Sequence, residues 1–335
     1  MSNGKTWEIE QKSIGDIDRQ GQDDPRISAI IPAYNAVEHL PRAIASTLAQ
    51  VFAPAEIIVV DDGSTDGTFD VAASLGPPVR VVRQENAGAA AARNRGVSES
   101  LGDFVAFLDA DDEWKPRHLA NAVRAFEKHP DLQWYCDAFE VVALDGKTSV
   151  RGLHGPGDGG DGTFLQDSLL AQARSAFLST NGVIVRRAAL DEVGVFDTSL
   201  PTGEDRDLWF RLGLQYRTIG YCAEPGSIYH SRAGSLTSRL NLIRADRFVE
   251  VSLRQFALAD QMGPREASRA ATLLGRWAEE MMWVLYRSDR KADATYVRRR
   301  LAQVMRPRWR FIGWLYHITP RALWCLAGRL KRMLP

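Results

Sequence analysis

The fold is decided by the stretch Phe104-Val-Ala-Phe-Leu-Asp-Ala-Asp-Asp112. Its five apolar residues, 104–108, are typical of a strand that is buried on both faces of a sheet. The three carboxylates that follow repel one another, and a hard divalent ion such as Mg²⁺, which prefers oxygen ligands, offsets such repulsion. The sequence therefore predicts a metal site at the end of this strand, with Asp109, Asp111 and Asp112 as candidate ligands.

The acidic run has a second interpretation, the start of a helix. Asp112 would then cap the helix predicted over 116–128, because the positive end of a helix dipole stabilises a carboxylate. The position directly after a buried strand favours the metal site, since ligands bind at the carboxyl ends of strands in open α/β sheets. We expect the ion to neutralise a phosphate-bearing leaving group.

Strands and helices alternate through the first part of the chain. Apolar runs predict further strands at 27–31, 56–60 and 79–82, and helical spacing of apolar residues predicts helices between them. This alternation predicts an α/β fold with a Rossmann-like, mostly parallel sheet flanked by helices, followed by a helical C-terminal extension. The candidate ligand-binding residues near the strand ends are Pro32, Tyr34, Asn35, Asp61, Asp62 and Asn86, with Gly88 and Arg93 from the next helix.

Two adjacent carboxylates, Asp61 and Asp62, begin the turn after the second strand. A turn with a helix cap explains Gly63 and Asp66, but two carboxylates exceed what capping needs. One of them is expected to accept hydrogen bonds from a nucleobase or ribose. Arg93 has two interpretations as well, a contact with a diphosphate or an ion pair with Asp62 or Asp66.

The second half of the chain contains a candidate general base. The run Gly203-Glu-Asp-Arg-Asp-Leu-Trp209 predicts a helix, and Glu204 and Asp205 stand at its N-terminus. The positive end of a helix dipole favours an ionised carboxylate, which can accept a proton. A well-capped helix without a catalytic group is the alternative interpretation.

A single histidine is a further candidate for the metal site. His230 ends a strand-like run that begins near residue 216. Imidazole is a common metal ligand, so His230 is predicted to join the three carboxylates. The alternative is a histidine that is exposed or satisfied by a protein partner.

Composition divides the chain into three regions. Residues 1–25 are polar and are expected to form a flexible arm. Residues 26–237 are expected to form one folded domain, with a first half at 26–115 and a second half at 116–237. The remainder, 238–335, is expected to be helical and basic.

The last part of that region, the basic segment 294–335, has ten Lys or Arg residues, three Trp residues and no Asp or Glu. Such segments lie at the interface of anionic membranes, where each charge contributes about 1 kcal/mol. The alternatives are a helical cap and a homodimer interface against the acidic remainder of the chain. Nucleic acid is not expected as a partner, because that remainder repels phosphates.

The overall composition is that of an ordinary globular protein, with 335 residues, 45% hydrophobic and 25% charged. Three widely separated cysteines without a CxxC pair signal neither a zinc site nor a disulfide framework. The polar N-terminus lacks the apolar core of a secretion signal, and no stretch reaches the ~18 apolar residues of a spanning helix. We therefore expect a cytoplasmic protein, either free or at the inner face of the cell membrane.

Five motifs together resemble those of the family 2 glycosyltransferases, which have the GT-A fold. They are, in chain order, Ser28-Ala-Ile-Ile-Pro-Ala-Tyr-Asn35, Val60-Asp-Asp-Gly-Ser-Thr-Asp66, Asn86-Ala-Gly88 with Ala92-Arg-Asn-Arg-Gly96, Phe107-Leu-Asp-Ala-Asp-Asp112 and Gly203-Glu-Asp-Arg-Asp-Leu-Trp209. The resemblance covers about residues 26–235. It implies that 26–237 form the catalytic domain, with a nucleotide-sugar half at 26–115 and an acceptor half at 116–237.

The resemblance implies an inverting transfer of a sugar from a nucleotide-diphosphate sugar to a hydroxyl of a glycan or lipid-linked acceptor. It assigns the nucleobase to Tyr34 and Asp62, and the general base to Asp205. Asp109 and Asp111 form the DxD motif, which binds the ribose and the Mg²⁺ or Mn²⁺ on the diphosphate. Relatives differ in which acid of this run contacts the metal, so the last acid of the run remains a candidate ligand.

Two further residues and one missing motif complete this comparison. Ala110 and Glu204 are expected to contact the nucleotide sugar. The Gln-x-x-Arg-Trp motif of processive relatives is absent, which favours a single addition in cell-surface polysaccharide or glycoconjugate synthesis. The alternatives are a non-catalytic protein that binds nucleotide sugars or carbohydrate, and a sugar nucleotidyltransferase, although the basic glycine-rich loop that the latter needs is missing.

Overall fold

A computed structural model describes residues 25–154, 164–175, 178–232 and 244–304. All of the arm predicted over 1–25 except its last residue, and most of the basic segment, lie outside these ranges. Their predicted properties therefore remain predictions.

The first half of the sheet is parallel. Its elements are β1 (Ile27–Ala33), α1 (Leu40–Leu48), β2 (Glu56–Asp61), α2 (Thr68–Ala73), β3 (Val79–Arg83), α3 (Ala89–Glu99) and β4 (Phe104–Phe107). The strands lie side by side in the order β3, β2, β1, β4, and each neighbouring pair is parallel. The Ile and Val residues of β1 and β2 are buried, as expected for β-branched residues in a sheet that helices cover on both faces.

The second half continues the same sheet with strands of both directions. Its elements are β5 (Glu113–Trp114), α4 (His118–Lys128), β6 (Trp134–Val142), β7 (Thr148–Arg151), β8 (Phe164–Leu165), α5 (Ser168–Arg174), a 3₁₀ turn (Thr180–Gly182), β9 (Val183–Arg186), α6 (Arg187–Val193), α7 (Glu204–Gln215) and β10 (Ile219–His230). Strand β9 is antiparallel to β4 and β6, whereas β10 is parallel to β6. The prediction of a mostly parallel sheet thus describes β1 to β4, and the predicted α/β class with flanking helices is confirmed.

Two apolar layers cover the sheet. Leu40 of α1 and Phe126 of α4 belong to one buried cluster, and Val97 of α3 and Trp209 of α7 belong to another. Both clusters also contain residues of β1 and β4, so helices pack against the central strands from either side.

Three C-terminal helices follow: the first two pack against helices of the sheet domain, and the third packs against those two. They are α8 (Ala245–Gln261), α9 (Pro264–Arg287) and α10 (Lys291–Arg300). Trp277 of α9 lies against Phe210 of α7, with ring centroids 6.4 Å apart. Arg269 of α9 is buried and makes two hydrogen bonds to Asp167, at the N-terminus of α5, of 2.8 and 3.0 Å. The helical extension therefore supports α7. Among the helices in the described ranges, none combines the length and apolar character needed to cross a bilayer.

The carboxyl ends of β1, β2 and β4 meet at one edge of the sheet. Backbone hydrogen bonds keep these ends in register: the N–H of Asp62 donates to the carbonyl of Ala33 at 2.8 Å, and that of Leu108 to the carbonyl of Ile30 at 3.0 Å. The turns that follow the three strands are therefore neighbours, as the sequence predicts.

Candidate active site

The three acids after β4 form a compact group. One carboxylate oxygen from each of Asp109, Asp111 and Asp112 lies within 4.8 Å of the others, and no further group of this kind occurs in the part of the chain that the structure describes. Oxygen donors at this spacing suit a hard divalent cation. The structure thus brings three of the four predicted metal ligands together.

Asp112 is the buried member of this group, only 1% exposed. Its Oδ2 accepts a hydrogen bond from Nδ2 of Asn181 at 2.6 Å, and its Oδ1 accepts one from the backbone N–H of His230 at 2.8 Å. Burial and the charge of Asp109 raise the pKa of Asp112 to about 7. A bound cation would favour the ionised carboxylate, so the donor set fits Mg²⁺ or Mn²⁺. The alternative of a helix cap is wrong, because α4 has Arg117 at its N-cap and no side-chain cap.

Asp111 is surrounded by basic side chains. Arg232 makes an ion pair with its carboxylate, and Nη2 of Arg42 donates a hydrogen bond to its backbone carbonyl at 2.6 Å.

Nε2 of His230 lies 2.7 Å from Oε1 of Glu113. The structure thus pairs the imidazole of His230 with Glu113, and its assignment as a metal ligand remains a prediction.

Arg93 joins the acidic group to the start of α7. Its Nη2 donates to Oδ1 of Asp109 at 2.7 Å, and its Nη1 donates to Oε1 of Glu204 at 2.9 Å. The side chain is buried, and the guanidinium lies over the Phe196 ring, 5.4 Å from its centroid. The two neighbouring carboxylates raise the pKa of Arg93 despite its burial. The alternative of an ion pair with Asp62 or Asp66 is therefore wrong.

Glu204 and Asp205 occupy the first turn of α7, as predicted. Burial and the charge of Asp205 raise the pKa of Glu204, whereas Arg93 opposes this effect. Oδ2 of Asp205 accepts a hydrogen bond from Oγ1 of Thr180 at 3.4 Å. Of these two acids, Asp205 contacts the 3₁₀ turn, whereas Glu204 forms an ion pair with Arg93.

The turn Thr180–Gly182 is the part of the site that the sequence did not reveal. Asn181 contacts the acidic group twice, because its Oδ1 also accepts a hydrogen bond from the backbone N–H of Asp109 at 2.7 Å. Thr180 contacts Asp205. The segment reads as the start of an apolar strand, and a single Asn in such a run carries no local signal of its function.

The turns after β2 and β3 are joined by Asp62. Its Oδ1 accepts hydrogen bonds from Nε2 of Gln84 at 2.8 Å and the backbone N–H of Ala87 at 2.9 Å, and its Oδ2 accepts one from the N–H of Gly88 at 2.8 Å. Gly88 has φ of 89°, a conformation that favours glycine. In this structure Asp62 holds the loop that contains Asn86.

The remaining predicted residues lie around the same edge. Asn35, at φ of 47°, accepts a hydrogen bond on its Oδ1 from the N–H of Thr65 at 2.9 Å. Asp61 is buried and forms an ion pair with Arg83, Oδ2 to Nε 3.2 Å. Tyr34 is 54% exposed, so its ring is free to stack on a planar ligand. Two other residues predicted to bind ligand are less exposed: Pro32 is half-buried in β1 and Ala110 is buried.

Comparisons with known proteins agree with this architecture. The family model described as glycosyl transferase family 2 matches residues 28–193. The succinoglycan biosynthesis protein ExoO of Rhizobium meliloti is 32% identical over 252 residues, which cover 70% of this chain and 70% of that protein. An uncharacterized glycosyltransferase of Nostoc, alr2836, is 36% identical over 181 residues, 51% of this chain and 54% of that protein. The chain therefore spans about half the length of the Nostoc relative.

A solved structure shows the same fold. The crystal structure of S. aureus TarS 1–349 in complex with UDP-GlcNAc superposes with a TM-score of 0.62 and 19% identity, covering 87% of this chain and 91% of that one. This likeness confirms the predicted GT-A fold.

Proposed function

Since this chain belongs to glycosyltransferase family 2, we propose that it transfers a sugar from a nucleotide-diphosphate sugar to an acceptor hydroxyl, with inversion at the anomeric carbon. The observation that carries this proposal is the bridge through Arg93, which holds Asp109 and Glu204 on one guanidinium. It sets the acids suited to the diphosphate beside the helix that carries the proposed base, Asp205.

We assign the general base to Asp205. Inversion requires the acceptor oxygen to attack from the side opposite the diphosphate, while a base takes its proton. The acceptor oxygen forms a bond to the anomeric carbon, the bond from that carbon to the diphosphate oxygen breaks, and the proton passes to Asp205. Its neighbour Glu204 is bound by Arg93 and suits this step less well.

In this proposal, the acids after β4 bind the metal ion that stabilises the leaving group. Asp109, Asp111 and Asp112 would hold Mg²⁺ or Mn²⁺, and His230 is retained as a further candidate ligand. When bound, the ion offsets the charge that develops on the departing diphosphate. Arg93 holds the Asp109 carboxylate in position, and Arg42 holds the backbone of Asp111.

Donor recognition is proposed for the edge formed by β1, β2 and β3. Tyr34 would stack on the nucleobase and Asp62 would bind it, as the resemblance implies. We propose Asn35, Asp61, Asn86, Gly88, Pro32 and Ala110 as further residues that contact the donor. UDP-sugars are the first donors to test, because TarS was crystallised with UDP-GlcNAc.

The product is proposed to be a cell-surface polysaccharide or glycoconjugate, extended by one sugar per encounter. The likeness to ExoO, a succinoglycan biosynthesis protein, supports this product class. The acceptor would be a glycan or a lipid-linked sugar, and we propose that the basic segment brings the enzyme to a membrane that carries it.

Turnover separates this function from its alternatives. Wild-type protein is incubated with Mn²⁺ and a panel of UDP-, GDP- and dTDP-sugars, and the released nucleoside diphosphate is measured. A glycosyltransferase releases nucleoside diphosphate by transfer or slow hydrolysis. Nucleotide binding without release would indicate a non-catalytic protein. In a separate incubation with a sugar phosphate and a nucleoside triphosphate, formation of pyrophosphate would indicate a nucleotidyltransferase.

A further inference from the structure

A buried histidine–aspartate pair lies outside the residues assigned to the reaction. Nδ1 of His118, on α4, is 2.6 Å from Oδ2 of Asp137, on β6, and neither side chain is exposed to solvent. Among the described residues, neither Nε2 of His118 nor Oδ1 of Asp137 has a hydrogen-bond partner. Burial raises the pKa of Asp137, although His118 opposes this effect. Such a pair is costly to bury and calls for a structural reason.

This pair packs against the turn Thr180–Gly182 from two directions. Oδ1 of Asp137 lies 2.6 Å from the position that a Cβ atom would take on Gly182, so a larger residue there displaces one of them. The ring of Trp114 lies against the His118 ring, with centroids 4.8 Å apart. Nε1 of Trp114 donates a hydrogen bond to the carbonyl of Asn181 at 2.7 Å.

Asn181 links this turn to the acidic group through two hydrogen bonds. Its amide oxygen accepts from the N–H of Asp109, and its amide nitrogen donates to the carboxylate of Asp112. The side chain is buried, with 1% exposure, so water does not compete for these bonds. One amide thus fixes the backbone at one end of the group and the carboxylate at the other.

We propose that Asn181 is a positioning residue, which sets the spacing between the Asp109 backbone and the Asp112 carboxylate for a divalent ion, and that the His118–Asp137 pair fixes the turn that presents it. The inference rests on the proposed function, since it concerns the ion that accompanies the donor. Hydrogen-bond partners of metal ligands typically change metal affinity by 10–100-fold when they are removed.

The test measures Mn²⁺ binding rather than turnover. Electron paramagnetic resonance measures the Mn²⁺ that the protein removes from solution, relative to the same nucleotide without protein. The nucleotide is whichever nucleoside diphosphate (UDP, GDP, ADP or dTDP) raises the melting temperature of the wild-type protein most. Asn181→Ala should weaken Mn²⁺ binding by about 10–100-fold. Gly182→Ala, which leaves the amide in place but displaces its turn, should weaken it in the same direction.

Two variants control for a general loss of stability. Gln172→Ala removes another buried amide, on α5, and Gly213→Ala places a Cβ 2.6 Å from Oγ of Ser168 at the far end of α7. Both should lower the melting temperature and leave Mn²⁺ affinity within about twofold of wild type, as expected for sites away from the ligands. Unchanged affinity in Asn181→Ala, or equal losses in the controls, overturns the inference.

The outcomes also separate this inference from the proposed function. If Asn181→Ala weakens Mn²⁺ binding but no sugar nucleotide is turned over by wild type, the positioning role stands and the glycosyltransferase proposal fails. If wild-type protein binds no Mn²⁺ with the selected nucleotide, the metal site and the inference fail together.

Discussion

Arg93 and Glu204 come from opposite halves of the chain, yet Nη1 of Arg93 lies 2.9 Å from Oε1 of Glu204. The other terminal nitrogen of the same guanidinium binds Asp109 at 2.7 Å. A single buried cation therefore fixes the distance between the acidic group after β4 and the first turn of α7. This arrangement suits the proposed reaction, because the residues that bind the leaving group and the residue that acts as the base must lie on neighbouring elements.

Removal of Arg93 should damage both stability and catalysis. Arg93→Ala leaves Asp109 and Glu204 without their shared cation, and breaking a buried pair from one side costs about 3–5 kcal/mol. We expect the free energy of unfolding in urea to fall by that amount. We also expect kcat/KM to fall at least about 10-fold, as for other partners of metal ligands.

The control for this variant lies on the same helix. Arg95 is exposed and forms an ion pair with Glu99, four residues along α3, so Arg95→Ala should change stability little. Equal losses of stability in the two variants would show that the buried ion pairs of Arg93 stabilise the fold no more than the exposed ion pair of Arg95.

Glu204 predicts a pH dependence of stability. Its pKa is raised in the folded protein, so its contribution is complete below the ordinary pKa of glutamate, about 4.3, and is lost as the pH rises through the folded pKa. The free energy of unfolding of wild type relative to Glu204→Gln should therefore decrease as the pH rises above the ordinary pKa of glutamate. Urea titrations at a series of pH values measure this difference.

Glu99 should show the opposite pH dependence of stability. Arg80 and Arg95 lower the pKa of Glu99, so its contribution is present above the ordinary pKa and is lost as the pH falls through the folded pKa. The stability of wild type relative to Glu99→Gln should thus increase with pH. The same slope for both variants would contradict the assignment for Glu204.

The membrane prediction for the basic segment can be tested without truncation. Helix α10 buries Ala294 and Val297, so a chain cut before it would lose part of its core. Arg299 and Arg300 are exposed, and their joint replacement by Gln should lower affinity for anionic vesicles by about 2 kcal/mol, at ~1 kcal/mol per charge. Sedimentation with vesicles that contain phosphatidylserine measures this change.

A control pair distinguishes a specific surface from overall charge. Arg117 and Arg124, at the start of and within α4, are equally exposed, and their replacement by Gln should leave vesicle binding unchanged. Loss of binding in both double variants, or in neither, would reject the basic segment as the contact and favour a cap or a dimer interface.

Much of the first half of the fold is readable from the sequence. Apolar runs of β-branched residues mark β1 and β2 almost to their ends, because those strands are buried on both faces and need no partner-specific pattern. The short strand β5 is different, since two residues form it only by pairing with β10. The local sequence around Glu113 and Trp114 therefore does not predict this strand.

The same limit applies to the candidate site. Asp109, Asp111 and Asp112 are adjacent in sequence and follow a strand, so local pattern predicts that they cluster. Asn181 reaches them from about 70 residues away through hydrogen bonds that depend on how β9 joins β4. The pairing of Arg93 with Glu204, across 111 residues, is of the same kind.

The most direct test of the proposed mechanism compares wild type with Asp205→Asn, using the best donor from the sugar-nucleotide panel and Mn²⁺. Removal of a general base should lower transfer by about 10²–10⁴-fold. The affinity for the corresponding nucleoside diphosphate, measured by titration calorimetry, should stay within about threefold of wild type, because Asp205 lies outside the acidic group. Asp191→Asn, on the exposed surface of α6, is the control and should retain full transfer. Wild-type rates of sugar transfer in Asp205→Asn would contradict the assignment of Asp205 as the base.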